Sequence, residues 1–98
     1  MFIVLLTYTA PLEQVDRHVA AHRDWLAACY DDGIFLASGP QQPRVGGAIL
    51  AHGLSRAELD RRLAADPFAQ AGVANYQVVQ MEVRLADARL AFLLPSEP

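Results

Sequence analysis

The sequence predicts an α+β fold of the order β-α-β-β-α-β. Three observations carry this reading. A short β-prone run opens the chain, a long apolar stripe at helical spacing follows it, and turn-rich joints divide the remainder into two strands, a second helix and a last strand. That order is the split βαβ arrangement of ferredoxin-like folds: a four-stranded antiparallel sheet with both helices on one face.

Phe2 to Tyr8 is continuous, β-branched and aromatic, and it ends ahead of Pro11. Its alternating sets, Ile3/Leu5 and Phe2/Val4/Leu6, are both apolar, which predicts a strand covered on both sides. From Leu12 to about Asp32, Leu12, Val15, Val19, His22, Leu26 and Cys29 recur every three or four residues. This predicts one helix with Thr9 as N-cap, Pro11 in its first turn and Gly33 just past its end. Ile34 to Pro40 reads as a second strand running into a Gly39-Pro40 corner. Gln41 to Gly46 is a turn-rich connection, and Gly47 to His52 is a third strand. Ser55 and Glu58 form a capping box that opens the second helix, with Leu59 and Leu63 as its apolar face and Glu58/Arg62 as an i,i+4 pair. Asn75 to Arg84 reads as the last strand. No internal repeat interrupts this order.

The chain has 98 residues and a net charge of −3. Its length suits one domain over 1–98, with an apolar tail from about residue 85 carrying Leu90, Phe92, Leu93 and Leu94. The tail is expected to pack on a neighbour. There is no basic stripe, so nucleic acid is not an expected partner. Cys29 is the single cysteine, so neither an intrachain disulfide nor a cysteine metal cluster is expected. The opening residues lack a positive n-region, and their apolar run is too short for a signal peptide or a membrane span. A cytoplasmic protein is the expectation. Gly46-Gly47 leads into a strand, not a helix, and so makes no phosphate loop.

With both sides of the first strand apolar, the sheet face without helices is expected to show Phe2 or Ile3 beside Tyr76 and Val78. Monomers rarely leave such a patch uncovered, so a homodimer packed through this helix-free sheet face is expected.

Candidate chemistry centres on Ala64 to Gly72, which closes the second helix. Proline disfavours the α region for the residue before it, so Asp66 is predicted to leave the helix in an extended conformation. From that corner its carboxylate can aim inward at His22, the only ionisable residue in the stripe Val15-Val19-His22-Leu26. A carboxylate on one imidazole nitrogen sets the tautomer and leaves the other nitrogen for proton transfer. The plainer readings remain open beside this one: a packed core histidine and a turn-capping aspartate. Ser38, with Gly39 at a strand end, can hold a substrate oxygen or simply end the strand. His18 and His22 have the i,i+4 spacing of a two-histidine metal site. No acidic residue in that helix is placed to complete it, so no metal is expected. Cys29 has no evident cationic neighbour and reads as packing, as do Trp25 and Tyr30.

Four short motifs in order are His22-Arg23-Asp24-Trp25-Leu26, Ala37-Ser38-Gly39-Pro40, Gly46-Gly47-Ala48-Ile49, and Ala65-Asp66-Pro67-Phe68 with Ala71-Gly72. Together they resemble the YCII-related (YciI-like) family from the start to about Arg84. The resemblance implies a dimeric α+β barrel of ferredoxin-like protomers. It also implies a His-Asp active site at the positions of His22 and Asp66, with the Ser38-Gly39 corner nearby as a substrate-binding element. It supplies no single substrate; family chemistry extends to dehydrochlorination of a chlorinated hydroxyquinol. Two functions follow. One is a cofactor-independent enzyme that moves protons on a small cyclic or aromatic molecule by elimination, isomerisation or lyase chemistry. The other is a non-catalytic dimeric binding or accessory protein in which the pair is structural. A regulatory ligand sensor is a third. No cofactor is expected.

Overall fold

The computed structural model describes residues 1–95; positions 96–98, the end of the expected tail, lie outside the described residues. In chain order the elements are β1 (Phe2–Tyr8), α1 (Leu12–Asp16), α2 (Val19–Asp31), β2 (Phe35–Pro40), β3 (Gly46–Ala51), α3 (Arg56–Ala64), α4 (Pro67–Gln70) and β4 (Ala74–Gln80), followed by a 3-10 turn at Ala88–Leu93. The four strands form one antiparallel sheet in the order β2-β3-β1-β4. This is the expected ferredoxin-like α+β arrangement. No helix among the described residues is long and apolar enough to cross a membrane.

β1 is central because it is apolar throughout and can accept a neighbour on each edge. Phe2, Val4 and Leu6 alternate into the core with Ile49 and Ala51 of β3, and the helices add Val15, Cys29, Leu59, Leu63 and Phe68. α3 starts on the expected capping box: the Ser55 hydroxyl accepts from Glu58 N–H at 3.1 Å, and the Glu58 carboxylate accepts from Ser55 N–H at 3.0 Å. α2 ends as expected at Gly33, whose φ of +75° is left-handed. Gly33 N–H donates to Tyr30 C=O at 3.0 Å and Ile34 N–H to Cys29 C=O at 3.2 Å, a Schellman end.

Several expectations need correction. The single helix over Leu12 to Asp32 is two helices, because His18 leaves helical geometry at φ −110° and ψ 2°. The stripe continues across this joint, since a one-residue deviation hardly rotates the following turn, so periodicity alone does not reveal it. Pro11 occupies the N-cap of α1 without a side-chain cap. Thr9 instead donates its hydroxyl to Gly72 C=O at 3.1 Å, tying the entrance of α1 to the exit of α4. Arg62 does not pair with Glu58, whose carboxylate serves the capping box; it reaches Asp32 across the helix layer at 2.6 Å. The i,i+4 pair of α3 is Arg56–Asp60.

β4 is shorter than expected and faces the other way. Regular strand ends at Gln80; Met81 still exchanges main-chain contacts with Met1, and no strand lies alongside the residues after it among those described. Tyr76 pairs with Leu6 and Val78 with Val4, and directly paired residues share a face, so both lie under the helices. The helix-free face carries the rows Leu50–Ile3–Val79 and Ala48–Leu5–Gln77. When both faces of a strand are apolar, the pattern does not fix which set points inward. In the tail Leu85, Leu90 and Phe92 are exposed, whereas Leu93 and Leu94 are half-buried, and the Phe92 ring meets His52 edge-on at 5.3 Å between centroids.

Candidate active site

Asp66 sits where α3 stops. The following proline holds it extended, at φ −61° and ψ 127°, as the N-cap of α4. The corner turns the carboxylate inward, and Asp66 is the single fully buried charged residue among those described. Burying a carboxylate is costly unless its lone pairs are met. Here three donors meet them. Oδ1 accepts from Phe68 N–H at 3.0 Å and lies 2.7 Å from His22 Nδ1, and Oδ2 accepts from the Tyr76 hydroxyl at 2.6 Å.

His22 approaches from α2, one helix over. With Nδ1–H donating to Asp66, the imidazole is in the tautomer that leaves Nε2 with its lone pair. Phe68 lies flat on the ring, 4.0 Å between centroids at an interplanar angle of 9°, and Trp25 flanks it at 5.6 Å. Trp25 is itself pinned by its indole N–H, which donates to Arg62 C=O at 3.0 Å. The imidazole therefore has little freedom to rotate. Burial, together with the hydrogen bond to Asp66, pushes the Tyr76 phenol well above its ordinary range, so it stays a neutral donor.

His22 forms part of the wall of a cavity of about 500 Å³ between the helices and the sheet. Ser38 and Gly39 line the same cavity from β2. The register pairs Ser38 with Ile49, which places its hydroxyl on the helix side. There the hydroxyl meets the Tyr30 phenol at 2.8 Å. Asp66 stands behind His22, outside the lining. The structure thus brings the four candidate residues together, His22, Ser38 and Gly39 on the wall of one cavity and Asp66 hydrogen-bonded behind His22.

Tyr76, Phe68, Tyr8 and Arg44 are participants that the sequence did not single out. Phe68 lies inside a recognised motif, and its place two residues after Asp66 was the available signal. The sequence does not reveal Tyr76, because the apolar pattern puts it on the helix-free face while its pairing with Leu6 puts it under the helices. The reading of Cys29 also needs amendment, since it does have a cationic neighbour: Arg62 Nη1 is 3.9 Å from Sγ. Burial outweighs this contact and pushes the thiol up, so Cys29 remains a packing residue. No cluster of three or more His, Cys, Asp or Glu side chains suited to a metal ion occurs among the described residues.

The family model for the YCII-related domain matches residues 1–82. The chain belongs to the YCII-related family. The match ends before the tail. Among solved structures, this YCII-related chain is similar to 5-chloro-2-hydroxyhydroquinone dehydrochlorinase (TftG) from Burkholderia phenoliruptrix AC1100, in complex with 2,5-dihydroxybenzoquinone. The two share 19% sequence identity over 83% of this chain and 93% of that one, with a TM-score of 0.69. At that identity the likeness is one of fold. No curated protein matches the chain in sequence.

Proposed function

We propose that this YCII-related chain is a small-molecule enzyme that performs cofactor-independent proton transfer on a small cyclic or aromatic substrate. His22 is the proton-transfer group and Asp66 the carboxylate that orients it. The observation that carries the proposal is the 2.7 Å contact between His22 Nδ1 and a fully buried Asp66, on a ring that lines a cavity. Nε2 takes a C–H proton, and the electron pair left behind moves onto a conjugated oxygen. In an isomerisation the pair returns from the oxygen as the same nitrogen gives the proton to a second carbon. In an elimination the returning pair breaks the bond to the departing group, which leaves with its bonding electrons, and the imidazolium gives its proton to that group or to water. Asp66 stabilises the imidazolium between the two steps. Ser38 and Gly39 form the substrate-binding corner, where a hydroxyl faces the developing oxyanion beside a position without a side chain.

The cavity is large enough for a single ring. The dehydrochlorinase of similar fold holds a dihydroxybenzoquinone, which supports the same substrate class and lyase-type chemistry. One observation favours the accessory-protein alternative: Asp66 also caps α4 through Phe68 N–H. A screen of the purified protein against hydroxylated and chlorinated aromatics and lactones, with His22→Ala beside it, decides between them. Turnover lost in His22→Ala is expected. Turnover that survives the substitution, or a ligand bound but never converted, favours the accessory reading.

A homodimer formed through the helix-free face, in a cytoplasmic setting, belongs to the same proposal. The exposed Val79 and half-buried Ile3, Leu5 and Leu50 form a patch that water covers poorly.

A further inference from the structure

The charges around the cavity run against those of the chain. Acidic residues outnumber basic ones over the whole sequence, yet the wall carries Arg23 and Arg44 against Asp16 alone. Lysine is absent from the sequence, so every such cation is a guanidinium, with its donors in a flat fork.

Of the two, Arg44 is the one built into place. It lies in the tight connection between β2 and β3, which is fastened to β1 from both sides. Gln41 Nε2 donates to Leu6 C=O and Gly47 C=O, each at 3.1 Å, and Tyr8 N–H donates to Val45 C=O at 2.8 Å. The guanidinium carbon stands 5.6 Å from the centroid of the Tyr8 ring, a cation–π position. Tyr8 meets Phe68 edge-on at 6.0 Å, and Phe68 stacks on His22. One wall therefore runs from the Arg44 cation over two aromatic rings to the imidazole. In the described structure one Arg44 nitrogen, Nη2, contacts Asp16 at 2.6 Å. Both partners of that pair are well exposed, and such pairs are weak and readily exchanged for a ligand carboxylate.

We propose that Arg44 is the anion-binding, specificity-determining residue of this cavity. It takes the carboxylate of a small aromatic acid, displacing Asp16, while the ring lies along Tyr8 and Phe68 with its reacting carbon at His22. This deepens the proposed function, on which it rests for the identity of the site. A neutral isostere gives up the guanidinium contact and binds more weakly.

The test is calorimetric titration of the full chain with 2,5-dihydroxybenzoate and 2,5-dihydroxybenzamide, which share a ring and hydroxyls and differ in charge. The wild-type protein is expected to prefer the acid by roughly tenfold, the scale of one charge-assisted contact. Arg44→Gln brings the two affinities together by weakening the acid alone, and Arg44→Lys restores part of the preference. Equal affinities in the wild-type protein, a preference that survives Arg44→Gln, or binding of neither compound overturns the proposal. His22→Ala separates this inference from the catalytic one. If turnover proves independent of His22 while the Arg44-dependent preference persists, the proton-transfer proposal falls and the anion site stands; a lost preference with intact His22-dependent turnover gives the reverse.

Discussion

Phe68 lies parallel to His22, ring on ring at 4.0 Å, in the turn that Asp66 caps. The residue that orients the imidazole by charge is thus joined, two positions on, to the one that orients it by contact. Replacing Phe68 with Leu keeps apolar bulk but removes the flat surface. Turnover is expected to fall more than melting temperature. Phe68→Ala empties a buried site as well, and denaturant titration is expected to register a loss of about 3–5 kcal/mol.

Asp66→Asn tests orientation against capping. Asparagine keeps an oxygen for Phe68 N–H, and its amide can donate to the Tyr76 hydroxyl, so the α4 turn survives. What disappears is the negative charge behind the imidazole. Turnover is expected to drop by about 10²-fold or more with a small change in melting temperature. A protein that melts far earlier yet turns over normally would assign Asp66 to structure alone.

Tyr76→Phe leaves Oδ2 of a buried carboxylate without its donor, which costs about 1–3 kcal/mol at neutral pH. It also has a signature in alkali. The folded state holds the phenol above its ordinary value of 10.0, through burial first and Asp66 second. Below that value both states keep the proton and the stabilisation is complete. As pH climbs past it, the unfolded chain ionises first and stability declines. Cys29, also pushed up by burial, adds a decline of the same sign. Denaturation midpoints measured on either side of that pH are expected to converge in Tyr76→Phe more than in the wild-type protein, with Cys29→Ser removing the remaining thiol contribution.

Val79→Arg places a charge in the Leu50–Ile3–Val79 row of the helix-free face. Sedimentation is expected to show a dimer for the wild-type protein and a monomer for the variant. A stable interface of this kind buries on the order of 1,000 Å² or more, and a guanidinium placed in an apolar row of it, on both copies, opposes association. A wild-type monomer at micromolar concentration would refute the assembly.

The legible parts of this protein were those governed by neighbours in sequence. Ser55 and Glu58, Gly33, and the Asp66-Pro67 corner act within one turn of themselves, so residue type and spacing suffice. His22 was legible because a lone imidazole interrupts an apolar stripe. Tyr76 was not, because its orientation depends on pairing with Leu6, and β1 is apolar on both faces. Arg44 was hidden for a related reason. Its stretch reads as polar connection, and only its anchoring to Leu6, Tyr8 and Gly47 turns it toward the cavity.

That anchoring ends at Gly46, where an added Cβ would run straight into the Leu6 carbonyl. Any larger residue there would have to push β3 away from β1, so the stem of the connection behaves as a fixed ruler. The position of residue 44 along the cavity rim is then set by the backbone. Exchange of the residue at position 44 can change what the pocket selects without moving where it is held. On the proposed role of Arg44, selectivity and fold are separable at this position, and a library randomised there alone is expected to sample new preferences on the same scaffold.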